Sequence, residues 1–139
     1  MSEVREILGG MQKDRLVDLI IEYSDNGYYP IELFLLKTDY GFSADMIKEC
    51  WNNLYNKAAE FEGEKDDKGA DLLRDAAELC FSQIQRLFDK EDQLFLCRKI
   101  VTDLDCAENQ DGIGMNTDSE WIYMEWRDRI QEFIEKITE

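Results

Sequence analysis

Carboxylates are the side chains through which this chain could do chemistry, because it has 32 of them and no histidine. Glu22 with Asp25, and Asp75 with Glu78, stand three residues apart. On a helix that spacing places both oxygens on one face. Two such faces opposed can hold magnesium against a polyphosphate, as in a helical nucleotide pyrophosphohydrolase. At this density of charge the spacing also arises by chance, and a charged helix face is ordinarily just solvated.

The segment around Asp111-Gly112 invites a second reading, as a calcium loop. An EF-hand loop needs oxygen ligands at its first, third and fifth positions, then glycine, then a terminal glutamate. With Gly112 as the glycine, Asn109 and Asp111 fall correctly, but Ala107 takes the first position and Asp118 the last. With Gly114 as the glycine, Asn109, Asp111 and Glu120 are suitable, but Ile113 falls on a ligand position. Neither register is complete, and Asn, Asp and Gly are also the residues of an ordinary turn. No metal or other cofactor is assigned.

The missing histidine removes the usual general base near neutral pH and the commonest metal ligand. Ser-His and Cys-His nucleophile pairs go with it, as do histidine-containing metal sites. Cys50, Cys80, Cys97 and Cys106 are too far apart for a CxxC motif. The first three lie among apolar helix positions, where a thiol packs as a small hydrophobe and burial raises its pKa. Cys106 adjoins the acidic loop and is the thiol expected to be exposed. The expectation is free thiols of a reducing cytosol, the first three in the core, rather than disulfides. The expected class is therefore not an enzyme.

Binding residues stand out more clearly. Trp121, Ile122, Tyr123, Met124 and Trp126 cover more than one face of the last helix. If one face packs the core, some of these aromatics face elsewhere, and Tyr, Trp and Met are enriched in interface hot spots. Cover by another helix or by the long loop is the competing reading. From Asp103 to Glu139 there are eleven acidic residues against Arg127, Arg129 and Lys136, which is half of the chain's net charge of −16. The candidate contact residues are Trp121, Tyr123, Met124 and Glu125, flanked by Asp111 and Asp118. Tyr28 and Tyr29 form a second candidate contact. A field of this sign repels nucleic-acid phosphate and anionic lipid, and favours a basic protein surface. Plain solubility would account for the charge equally well.

The elements that position these residues are helical throughout. The chain's 139 residues suffice for one domain with a real core. Val4, Ile7 and Leu8 predict a short helix stopped by Gly9-Gly10. Leu16, Leu19, Ile20 and Tyr23 predict the next, widened by Val17 and Ile21 and ended at Asn26-Gly27. Pro30 suits the first turn of a short helix through Leu36 that is apolar on nearly every side, and so is expected to be buried.

Ser43 reads as an N-cap. The stripe behind it is Ile47, Cys50, Trp51, Leu54, Tyr55, Ala58 and Phe61. Glu62 to Gly69 reads as a loop. Leu72, Leu73, Ala76, Ala77, Cys80, Ile84, Leu87 and Phe88 mark a long helix, followed by a polar break from Asp89 to Asp92. Leu94, Phe95, Cys97, Ile100, Val101 and Leu104 mark another. Asp105 to Asn116 is the longest expected loop. Thr117 and Glu120 have capping-box spacing ahead of the last helix, whose stripe is Ile122, Trp126, Ile130, Phe133, Ile134 and Ile137.

Two stretches carry a family resemblance. One is Met11-Gln12-Lys13-Asp14-Arg15-Leu16-Val17-Asp18-Leu19-Ile20-Ile21-Glu22-Tyr23, within Leu8 to Lys37. The other is Leu94 to Gly114, where a helix runs into Asn109-Gln110-Asp111-Gly112-Ile113-Gly114. Together they resemble the helical region that accompanies SWIM zinc-finger proteins in bacteria. The match departs at Asn109, where a further acidic residue is expected. The finger itself is absent, so no zinc or nucleic-acid function carries over. The resemblance implies a HEAT-like α-α superhelix used for protein contacts, and it transfers no catalytic residue.

The expectation is an all-α single domain, 1–139, of five or six antiparallel helices, as an irregular bundle or a short α-α superhelix. Its expected role is a cytoplasmic, non-enzymatic protein–protein interaction module without direct nucleic-acid or membrane binding. One alternative is an acidic inhibitor of a basic protein, of the toxin-immunity or anti-nuclease (DNA-mimic) type. The second is the magnesium-dependent nucleotide pyrophosphohydrolase. A homo-oligomer through the last helix would satisfy the same aromatics without a foreign partner.

Overall fold

A computed structural model of the chain describes residues 6–7, 9–26, 30–37, 41–61, 66–109 and 120–139, with the backbone alone for 23–26, 66–67 and 120–122. Among these residues lie six α-helices: α1 Lys13–Asn26, α2 Ile31–Leu36, α3 Ala44–Ala59, α4 Asp66–Gln85, α5 Lys90–Asn109 and α6 Glu120–Thr138. The fold is all-α, as the periodicity predicts.

Local chemistry explains several of the boundaries. Ser43 caps α3, its Oγ accepting from the Met46 N–H at 3.2 Å. Asp89 does the same for α5, accepting from the N–H groups of Glu91 at 2.8 Å and Asp92 at 3.3 Å. Pro30 stands one residue ahead of α2, at φ −62° and ψ 142°, where its fixed ring angle suits the N-cap. At the other end of α4, Gln93 donates to the carbonyls of Ile84 and Leu87, both at 3.1 Å, which satisfies oxygens the helix end leaves open. Helix α4 begins at Asp66, so the last part of the expected 62–69 loop is helical. Ala70, fully buried just beyond that segment, already belongs to the core face.

Helix α4 is central. It packs on α2 and α3 before it in the chain and on α5 and α6 after it. Its small residues make this close approach feasible, since Ala70, Ala76, Ala77 and Cys80 are all fully buried. Leu73 and Ile84 fill the same interior, with Ile47, Trp51 and Leu54 from α3, Leu96, Ile100 and Leu104 from α5, and Tyr123 and Ile130 from α6. Every substantial helix contact joins neighbours one or two positions apart along the chain.

Two polar bonds tie this interior together. The Trp51 indole N–H donates to Asp103 Oδ2 at 2.7 Å, linking α3 to α5. Buried Gln83 donates from Nε2 to the Leu36 carbonyl at 2.9 Å, fastening the end of α2 to α4. Gln83→Ala leaves that carbonyl without its donor in a dry site, so it is expected to cost about 1–3 kcal/mol of stability. Urea unfolding monitored by circular dichroism measures it, and a loss below about 0.5 kcal/mol would contradict the assignment.

Burial overturns three apolar expectations. The α2 run is not buried all round, because only Leu33 and Leu36 point inward and Phe34 and Leu35 are exposed. Phe88 lies beyond the end of α4 and is fully exposed. Phe95 is 56% exposed, because α5 turns Leu96, Cys97, Ile100, Leu104 and Ala107 inward instead.

Candidate functional site: the open face of α1 and α2

Helix α6, which carries the expected contact residues, mostly faces inward. Tyr123 is fully buried, in register with Trp126, Ile130 and Ile134 along one stripe. The structure therefore corrects its reading as a surface contact: α4 and α5 both pack on α6, and Tyr123 belongs to the core. Glu125 is half-buried and paired with Arg129 at 2.8 Å. The Arg129 guanidinium lies 4.9 Å from the Trp126 ring centre. Met124 is 58% exposed and stands alone as a surface anchor. The Trp121 side chain, Asp111 and Asp118 lie outside the described residues, as do Tyr28, Tyr29 and Thr117.

Near α6, the acidic charge is used internally. Arg127 reaches from α6 to α5, where Nη1 pairs with Asp105 and Nη2 with Glu108 at 3.1 Å. Burial works against this guanidinium's charge, but hydrogen bonds and attraction from Asp105 and Glu108 outweigh it and raise its pKa. The outward positions Asp128, Gln131, Glu132, Glu135 and Lys136 are polar and exposed. This end of the stack is finished with a water-compatible surface.

The other end is not. Helix α1 packs chiefly on α2. Leu16 is half-buried, but Val17, Leu19, Ile20 and Ile21 remain 37–44% exposed. At 3.6 residues per turn these positions spread over roughly 200° of the helix, far wider than its contact with α2 can cover. Phe34 and Leu35 of α2 are exposed apolar residues as well, at 53% and 41%. The remaining side of α1 carries Asp14, Asp18 and Glu22 at four-residue spacing, with Arg15 beside them, all exposed. An acidic row therefore borders the apolar face.

Leu35 also lines a cleft of about 420 Å³ between α2 and α3, with Ile31, Phe42 and Met46 as apolar walls. Glu32, Glu49, Cys50 and Asn53 complete it. Glu32 Oε2 is buried without a hydrogen bond among the described residues, and its ion-pair partner Lys57 Nζ stands 3.9 Å away. Burial, and then the charges of Glu32 and Glu49, push the Cys50 thiol up to about 11. The cleft thus offers an apolar floor, negative walls and a thiol that stays protonated at neutral pH.

The metal readings gain no geometry. Glu22 is on α1 and Asp75 on α4, two helices without substantial contact, and the Asp25 side chain is outside the described residues. Asp75 Oδ1 already accepts from Arg74 Nε at 3.5 Å. Among the described residues no three carboxylates or thiols gather as a metal site. Of the calcium candidates, Asn109 spends its amide on the Asp105 carbonyl at 3.1 Å; α5 runs on to Asn109, so the start of the expected 105–116 loop is helical, and residues 110–119 are outside the described residues.

All four cysteines are free, with Cys80 and Cys97 buried and Cys50 and Cys106 half-buried. No described helix is long and apolar enough to cross a membrane. No protein-family model matches the chain, and no curated protein or solved structure does so either.

Proposed function

We propose that this chain is a non-enzymatic protein–protein interaction module, and that the apolar face of α1 and α2 is its docking surface. The carrying observation is the asymmetry of the stack. In an array whose members touch only near neighbours, an end helix must present a polar outer face to remain soluble alone. Helix α6 does so and α1 does not. A contiguous apolar surface rimmed by charge marks an interaction site. The near-neighbour packing also supports the HEAT-like superhelical reading, in which such stacks serve as docking scaffolds.

The partner has a defined chemistry. Asp14, Asp18 and Glu22 border the face, and Glu32 and Glu49 wall the adjoining cleft. A net charge of −16 on each copy opposes pairing of two copies. The fitting occupant is a segment with apolar anchors flanked by Lys or Arg, steered by opposite charge. An acidic inhibitor of a basic protein is the form of this reading in which charge dominates, and salt separates the two. The absence of histidine and the protonated state of the buried thiols support a non-enzymatic role in the cytoplasm.

The test is capture by a photo-crosslinking residue at position 20, compared with one at position 124, alongside the exposed-site variants Ile20→Asp and Leu35→Asp. A basic protein should crosslink at 20 and not at 124. Either variant should weaken its binding at least tenfold, about 1.4 kcal/mol. Equal binding by the variants would overturn the assignment of this face. A second copy of the chain captured at position 20 would overturn the foreign partner.

A further inference from the structure

The exposed Phe95 belongs to a second cleft, of about 590 Å³, between α3 and α5. Leu94 and Phe95 form its apolar floor, and Lys48, Arg98 and Lys99 all line it. The ammonium of Lys48 reaches across from α3 and stands 5.6 Å from the centre of the Phe95 ring. Arg98 follows Phe95 by three residues and Leu94 by four, so it shares their face of α5.

Two carboxylates also line the cleft, Glu91 and Asp103, and neither forms an ion pair with Lys48 or Arg98. Asp103 is committed, accepting from Trp51 at 2.7 Å and pairing with Lys99 at 3.3 Å. Glu91 is two helical turns before Arg98, roughly 10 Å along the axis at 1.5 Å per residue. Lys48 and Arg98 therefore have no carboxylate partner among the described residues. Lys57, Arg74, Lys99, Arg127 and Arg129, by contrast, pair with carboxylates. The cleft's own charge is positive, on a molecule of net charge −16. A half-exposed aromatic ring beside two uncommitted cations is amphipathic in the sense opposite to the α1–α2 face.

We propose that the cleft between α3 and α5 binds a small organic anion, with its flat apolar body on Leu94 and Phe95 and its anionic head between Lys48 and Arg98. The cleft is shallow and open on one side, so it would cover one face of a flat ligand and leave the other to solvent. Arg98 offers a planar fork suited to carboxylate or phosphate, and Lys48 adds a point charge from the facing helix. Trp51 and Lys99 hold Asp103 away from competition with the ligand. The site is independent of the docking face, because it uses neither α1 nor α2.

The probe is 1-naphthyl phosphate, titrated calorimetrically against the folded chain, with 1-naphthalenemethanol as its neutral counterpart. The phosphate should bind at least tenfold more tightly than the alcohol and shift the backbone amide resonances of Phe95 and Arg98. Arg98→Gln and Lys48→Gln, both at exposed positions, should each weaken it severalfold with unchanged thermal melting, and the double variant tenfold or more. Arg98→Glu should abolish binding. No detectable binding at millimolar probe, equal affinity for phosphate and alcohol, or an unchanged affinity in the double variant would each overturn the proposal.

Discussion

Replacing Trp51 by alanine is expected to remove about 3–5 kcal/mol of stability and to lower the melting temperature by roughly 10–20 °C. Trp51 is 1% exposed and the largest fully buried side chain of the core. Its removal leaves a void that the helices α3 and α5 on either side cannot close without shifting as rigid rods. The loss is compounded at Asp103, which would keep Lys99 but lose the indole N–H at 2.7 Å. Trp51→Phe separates these contributions, because it retains most of the volume and discards the donor. It should cost less than half as much as the alanine variant. Urea unfolding of the two variants and of Asp103→Asn gives the comparison. A Trp51→Ala loss under about 1 kcal/mol would show that the indole is not part of the cooperative core.

That core was largely legible in the sequence. The stripe Ile47, Trp51, Leu54 and Ala58 repeats at three and four residues, and all four are buried. Leu72, Leu73, Ala76, Ala77, Cys80 and Ile84 follow the same rule. Periodicity reports which side of a helix is apolar. It does not report whether a neighbour exists to cover it. The wide stripe of α1 reads like that of a buried helix, yet among the described residues α1 packs chiefly on α2 and its face stays open. The same limit applies to α2, where an all-round apolar run met partners on only one side.

Tyr123 differs for another reason: its spacing to Trp126, Ile130 and Ile134 places it on the core face, which the aromatic composition of the segment does not show. The Asp89 cap was available too, as an aspartate directly before an apolar-periodic run. The α3–α5 cleft had no local signature. Lys48 and Arg98 are fifty residues apart in the chain, and only packing brings them to the same aromatic ring.

Raising the pH above about 9 is expected to destabilise this protein through its thiols, and the sign follows from which state holds the protons. Burial, reinforced by Glu32 and Glu49, lifts Cys50 to about 11. Burial lifts Cys97 to about 12, and burial followed by the charge of Cys50 pushes Cys80 higher still. In the unfolded chain these groups titrate near 9. Above that pH the unfolded state releases protons that the native state keeps, so stability falls as pH rises. The contribution is fully present below pH 9 and is lost progressively as pH climbs through the raised values. Urea midpoints at pH 7.5, 9 and 10.5 should therefore decline, with most of the loss in the upper interval. Tyrosines and lysines also titrate in this range, so the thiol share is isolated by Cys50→Ala and Cys97→Ala, each of which should flatten the decline. The same shift predicts about 100-fold less thiolate at Cys50 than at a free thiol near neutral pH, and correspondingly slow alkylation of the native chain. A decline identical in all three proteins, or rapid alkylation of Cys50 in the folded state, would contradict the burial of these groups.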